Sequence, residues 1–448
     1  MALFRLDSCC VRSMCCFFQI IDAIQEFLWG YVNFFLILAI GLYFSVKTSF
    51  FQFRALFSLK KTVRALMTTT ATEKTKGVAP LRLYFTSIGG SIGLGNIVAV
   101  VTTVSIGGPG GIFWMWVAVF LGMLVKYGEV YLGITYRKQN AIGGYDGGPM
   151  YYLNKALNIK CASSIFCVLM CIYGVEIFQF KVVEDVIVDA FGLSRYLVMA
   201  ILLTGTIYVA IGGVNRLSKV CTVLMPIFLI VYTSVCLFVI SKSDVGFGHL
   251  LGLILKSAFT GHAAVGGFAG STIIMAIQYG MANAVYSGDI GMGYDSVIQA
   301  ETQLSGPKAQ ARTVVFTLFT DCFICTLTVL LVLSTGCWSM GYKHGGDFVT
   351  NALLPYFPYI KYLLAVFFFL VGWTTILGFL LVGIKSAKEL FKKGKVFYLV
   401  YAVLMFLIFS FVDQNNARLI MYLAGALLML MNTIAIFRLR QEIDFSID

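Results

Sequence analysis

Residues 84–122 read YFTSIGGSIGLGNIVAVVTTVSIGGPGGIFWMWVAVFLG, and Gly89, Gly90, Ser91, Ile92, Gly93, Leu94, Gly95 and Asn96 form one run within them. The segment is apolar enough for a bilayer interior. Yet glycine weakens a helix by about 1 kcal/mol relative to alanine. Four glycines and an asparagine in eight residues predict a helix that breaks in mid-membrane. Unwound backbone at that depth is tolerated only where it is buried in protein or lines a cavity. Its freed carbonyls suit a small hard cation, and its N–H groups suit a carboxylate. A second polar pair, Thr374 and Thr375, interrupts the apolar stretch FLVGWTTILGFLL. Adjacent hydroxyls either give oxygens to a cation or bond back to their own helix. Beside a broken helix both readings stand.

The elements that must position these groups are membrane helices. The hydrophobic fraction is 59%, the charged fraction 12% and the mean hydropathy +0.88, where soluble domains are about 25% charged. The sequence predicts an all-α polytopic membrane protein. Apolar stretches of spanning length lie near 29–47, 84–106, 111–135, 162–187, 195–212, 218–241, 264–286, 312–336, 359–385, 396–412 and 417–437, about eleven helices, of which 195–212 and 396–412 are the shortest. The formal charge of +12 is gathered into alternate loops. Lys60, Lys61, Arg64, Lys74 and Lys76 follow the first helix, Arg137 and Lys138 the third, and Lys385, Lys388, Lys392, Lys393 and Lys395 the ninth. The positive-inside rule makes that face cytoplasmic, with the N-terminus outside and the C-terminus inside. No basic–aromatic groove pattern points to nucleic acid.

Segment 1–83 reads as an extra helix with a basic loop, 84–241 and 264–437 as two five-helix halves, 242–263 as an external loop and 438–448 as a cytoplasmic tail. The glycines Gly266, Gly267 and Gly270 echo the first break, five helices later and in the opposite direction. Paired broken helices in inverted halves point to a transporter binding site.

Charge inside a membrane costs roughly 2.5–3.5 kcal/mol, so each intramembrane charge needs a partner or a task. Lys126 and Glu129 are three apart and suited to pair with each other; Lys181 and Glu184 share that spacing. Glu176 and Gln179 stack on one face, where Gln179 suits a substrate carboxylate. Asp321 stands alone in its span, awaiting either a buried partner or a coupling role. Cys9, Cys10, Cys15 and Cys16 read as unpaired thiols near the membrane surface, with disulfides or acylation as the alternatives, and residues 1–28 show no cleavable signal. No GxxxxGK[ST] loop, catalytic triad or carboxylate pair suggests an enzyme, and no organic cofactor or obligate protein partner is expected.

At 107–122 the sequence GGPGGIFWMWVAVFLG resembles the signature of the alanine-or-glycine:cation symporter family. SIGLGNI at 91–97, GGPMYYL at 147–153, GGFAGSTIIMAIQYG at 266–280, TDCFICTLTVLLVLSTG at 320–336 and TTILG at 374–378 extend the likeness over roughly 30–440. The resemblance implies a leucine-transporter-like fold of two inverted five-helix repeats. It implies that the Asn96 oxygen contacts a sodium beside the substrate and that Gly93 and Gly95 open N–H groups to its carboxylate. Gly89 and Ile92 carbonyls, with Ser91, Thr374 and Thr375, would serve sodium. Gln179, Met275, Ala276, Thr375 and Phe379 would line the pocket. The chain departs from the family's usual SNEAG and GSAP at Ser287–Gly291 and Gly293–Ser296, in the third core helix at Glu176, Phe180 and Lys181, and after TTILG, where Phe379, Leu380 and Leu381 replace a tryptophan and a polar run.

The expectation is therefore sodium-driven symport of a small neutral amino acid, alanine (D-alanine included) or glycine, in a bacterial inner membrane. One rival keeps the fold and couples to protons, with Lys181, or Asp321, as the coupling group. Another is a transporter-like sensor without transport.

Overall fold

The computed structural model describes residues 8–68, 77–140, 143–260, 273–340 and 345–447, with backbone alone for 8–16 and 65–68. Gly266, Gly267 and Gly270 and the side chains of Cys9, Cys10, Cys15 and Cys16 lie outside the described residues.

Helix α1 (Ser8–Phe27) runs through a π-helical turn, Leu28–Asn33, into α2 (Phe34–Lys47), giving one apolar span from Phe17. Two short helices follow, α3 (Phe51–Phe57) and the basic α4 (Leu59–Thr68). Helix α5 (Pro80–Ser91) starts on Pro80, whose missing N–H costs nothing in a first turn. It ends at the glycine run, and the chain resumes as a 3₁₀ turn, Leu94–Asn96, and α6 (Ala99–Gly107). The two halves meet at 62°. Helix α7 (Gly111–Thr135) precedes a two-stranded antiparallel hairpin, β1 (Lys138–Gln139) with β2 (Tyr145–Asp146), and the short α8 (Leu153–Leu157). Next come α9 (Ala162–Tyr173), α10 (Ile177–Phe191), α11 (Arg195–Ile211), α12 (Gly213–Lys242) and α13 (Phe247–Phe259). The second half holds α14 (Ile273–Ser287), α15 (Tyr294–Gln299), α16 (Pro307–Ser334), α17 (Gly345–Leu353), α18 (Ile360–Leu390), α19 (Gly394–Phe409) and α20 (Asn415–Arg438).

Among the described residues seven helices are long and apolar enough to cross a membrane, or eight counting the bent α5–α6 pair. The expected short spans are present as α11 and α19, apolar helices below spanning length by themselves. The expected external loop 242–263 carries helix α13, and the short α17 lies between α16 and α18. Helices α7, α16 and α18 form the buried centre. At its rim α12 exposes Val223, Ile227, Ile230 and Leu237, the apolar exterior that lipid requires. Helix α14 packs on α7 through small residues: a Cβ on Gly280 would stand 2.1 Å from the Gly111 carbonyl. Glycine there lets the two backbones touch.

Two interruptions differ from expectation. The fourth apolar stretch is divided into α9 and α10 at Gly174–Glu176, and Glu176 takes φ −1°, ψ 50°. In the second half the described break follows α14, over Gly288–Gly293, where Asp289, Gly291 and Gly293 have φ of 47°, 81° and 99°.

Candidate functional site

The first break is built from two extended residues, Ile92 (φ −79°, ψ 103°) and Gly93 (φ −129°, ψ −160°). Asn96 fixes it. Its Oδ1 accepts the Gly93 N–H at 3.0 Å, and its Nδ2 donates to Asp321 Oδ1 at 2.6 Å and to Cys325 Sγ at 3.2 Å. The hydroxyl of Ser287, the last residue of α14, donates to Asp321 Oδ2 at 3.2 Å. Asp321 thus has its buried partners, and ties the first break to the start of the second. In this arrangement Gly93 N–H, expected to face a substrate carboxylate, is held by Asn96.

Helix α18 presents the two threonines in different directions. Thr375 Oγ1 bonds to Val371 O at 3.0 Å and stands 3.3 Å from Gly89 O and 3.4 Å from Ile92 O. A cation of calcium-like radius, with oxygen contacts of ~2.4 Å, holds ligands at right angles ~3.4 Å apart. Both carbonyl oxygens stand at that spacing from Thr375 Oγ1. Thr374 Oγ1 instead bonds back to Leu370 O at 2.8 Å and Val371 O at 3.1 Å, against Met225 Sδ. It is turned from the break, because neighbours on a helix point about 100° apart.

Gln179 sits across from Gly93. Its Nε2 donates to Glu176 Oε2 at 3.1 Å, while its Oε1 has no hydrogen-bond partner among the described residues. A Cβ on Gly93 would lie 3.0 Å from both Gln179 Oε1 and Thr375 Oγ1, whereas one on Gly95 would meet nothing closer than Tyr286 at 3.6 Å. Gly93→Ala is therefore expected to cut uptake at least tenfold and Gly95→Ala less than threefold. Equal losses in a transport assay would contradict this geometry.

These groups border a cavity of about 400 Å³. Of the expected residues its wall includes Ser91, Gly93, Gly95, Asn96, Gln179, Thr375 and Phe379. Tyr173, Glu176, Tyr286, Asp289, Arg418 and Tyr422 also line it, and it follows α6 as far as Ile106. Met275 and Ala276 do not line it: they pack on Gly107 and Gly111. Ser91 turns its hydroxyl to Lys126, which puts it in a different contact from the ion ligands it was grouped with.

Tyr294 packs behind Gly90 and Phe379 of the cavity wall. Its hydroxyl donates to Thr86 O at 3.0 Å and its ring lies 4.7 Å from that of Phe379. The ring fits because Gly90 has no side chain; a Cβ there would sit 2.0 Å from it. Beside it Lys126, fully buried, pairs with Asp295 at 2.5 Å rather than with Glu129. It also donates to Gly288 O at 2.6 Å and Ser91 Oγ at 3.2 Å. Lys181 lies apart from the cavity. It donates to Ser410 O at 2.9 Å and reaches Asp185, not Glu184, at 4.0 Å.

Arg418, stacked over Phe178 at 4.5 Å and bonded to the Tyr422 hydroxyl at 3.2 Å, is the charged cavity residue that sequence reasoning missed, along with Tyr173, Tyr286 and Tyr422. Its signal was the i, i+4 spacing of an arginine and a tyrosine at the start of an apolar helix.

The pattern of the sodium:alanine symporter family matches residues 14–444. The chain belongs to the sodium:alanine symporter family. An uncharacterized transporter of Haemophilus influenzae is 32% identical over 95% of this chain and 94% of its own length. The probable sodium/glutamine symporter GlnT of Bacillus subtilis is 28% identical over 95% and 89%. The sodium/alanine symporter AgcS of Methanococcus maripaludis is 28% identical over 71% of each chain. Members of this family are membrane transporters, not enzymes, and this one is a multi-pass helical membrane protein.

Proposed function

We propose that the chain is a sodium-coupled symporter of a small neutral amino acid, alanine or glycine, working by alternating access in a bacterial inner membrane. The observation that carries this reading is the convergence of Gly89 O, Ile92 O and Thr375 Oγ1 at a helix break beside a mainly apolar cavity with a few polar side chains, Gln179, Glu176 and Asp289 among them. Three neutral oxygens without a charge suit a monovalent cation. The cavity next to it has acceptors for an ammonium, and the unwound backbone at Gly95, rather than the Gly93 N–H that Asn96 holds, would face a carboxylate.

On this reading the chain has eleven spans: α1–α2, then α5–α6, α7, α9–α10, α11 and α12 as one half, and α14–α15, α16, α18, α19 and α20 as its inverted counterpart. The basic loops are cytoplasmic. The cavity then opens outward along α6, while Tyr294 and the Lys126–Asp295 pair shut the inner side. Sodium, by bridging α5 and α18, favours this state; substrate closes the outer mouth, and the helices rock about the site.

Thr375 and Thr374 separate this reading from simple back-bonding. Thr375→Val removes an ion ligand and is expected to raise the sodium concentration for half-maximal uptake by about tenfold or more. Thr374→Val is expected to change it less than threefold. A sodium titration of uptake decides; an unshifted Thr375→Val midpoint would remove sodium from this position.

A further inference from the structure

Asp289 occupies the loop between α14 and α15 in a left-handed conformation, φ 47°, which non-glycine residues adopt where the surrounding structure requires it. It is 5% exposed and lines the cavity. Its Oδ2 has no hydrogen-bond partner among the described residues, and no lysine, arginine or histidine there lies within 4.0 Å of its carboxylate. Lys126 is the nearby cation, but it is engaged by Asp295, the Gly288 carbonyl and Ser91. A buried carboxylate oxygen aimed into a cavity without a donor awaits one from the ligand.

The placement fits an amino acid. The first break touches the end of α14 two residues before Asp289: a Cβ on Gly95 would lie 3.9 Å from Ser287 Cβ. A molecule seated on the unwound backbone therefore has Asp289 beside it. Lys126 holds the preceding carbonyl at 2.6 Å and so fixes where the carboxylate stands.

We propose that Asp289 receives the ammonium group of the transported amino acid, with Lys126 as its positioning residue. This rests on the symport reading and names the group that recognises the amine. Occupancy then pulls on the same loop that Lys126 ties to Asp295, which links the cavity to the inner closure.

Asp289→Gly and Asp289→Asn both remove the charge, and both residues suit a positive φ, so the loop keeps its path. The experiment is ligand binding to the purified full chain in sodium chloride, by thermal shift and competition, with alanine and with lactate, in which a hydroxyl replaces the ammonium. Wild type is expected to bind alanine at least about 100-fold more tightly than lactate, and both variants to lose roughly 100-fold for alanine with lactate unchanged. Three results would overturn the assignment: equal wild-type affinity for the two ligands, variants that bind alanine normally, or variants that lose both ligands alike. No amino acid binding to wild type at all would instead overturn the symport reading.

Discussion

Replacing Lys126 by Met should abolish uptake and destabilise the protein by about 3–5 kcal/mol, the usual cost of leaving a buried charge unpaired. The stranded group is Asp295, fully buried and 2.5 Å from the ammonium. Ser87 also bonds to Asp295, but a neutral hydroxyl does not replace a cation. The double variant Lys126→Met/Asp295→Leu separates folding from function. Apolar replacement of a whole buried pair is often neutral, so its melting temperature should return towards wild type. Uptake should not return, because the ammonium joins Ser91 at the first break to Gly288 at the second. A double variant that transports normally would reduce Lys126 to packing.

Asn96→Ala should lower transport by more than 100-fold and stability by about 3 kcal/mol, since it orphans the Gly93 N–H and one oxygen of Asp321 together. The variant should still purify as a folded membrane protein, because α5 and α6 keep their own packing on α12, α14 and α18. Sodium-dependent uptake and melting temperature check both statements. Wild-type values for either would mean that the break holds its shape without the amide.

What the sequence discloses depends on how local the determinant is. The first break is legible because glycine density and a buried amide act on a few consecutive residues. A further interruption beside the cavity, at Gly288, Gly291 and Gly293, was not legible, because its glycines are spread through what reads as a loop. Charge partners were legible only where they are near in the chain. Spacing pairs Lys126 with Glu129 and Lys181 with Glu184; folding gives Lys126 to Asp295 and Lys181 to Ser410 and Asp185, choices that periodicity along one helix does not contain. The two adjacent threonines show the same limit. Both lie on one helix beside a break, and it is the rotation of α18 against α5 that turns the Thr375 hydroxyl to Gly89 O and Ile92 O.

The bridging acid Asp321 shows how such residues combine. One carboxylate on α16 takes Asn96 from the first broken helix and Ser287 from the end of α14, while the amine on α7 takes Ser91 and Gly288. Two buried charges of opposite sign thus clasp both interruptions. A change at either break is felt at the other.

The most direct measurement is uptake of labelled alanine and glycine into proteoliposomes holding the purified chain, under an inward sodium gradient or, separately, an inward proton gradient. The account gives accumulation driven by sodium, persisting without a pH difference and lost when the sodium gradient is collapsed. Accumulation driven by protons alone, or none under sodium, would contradict it.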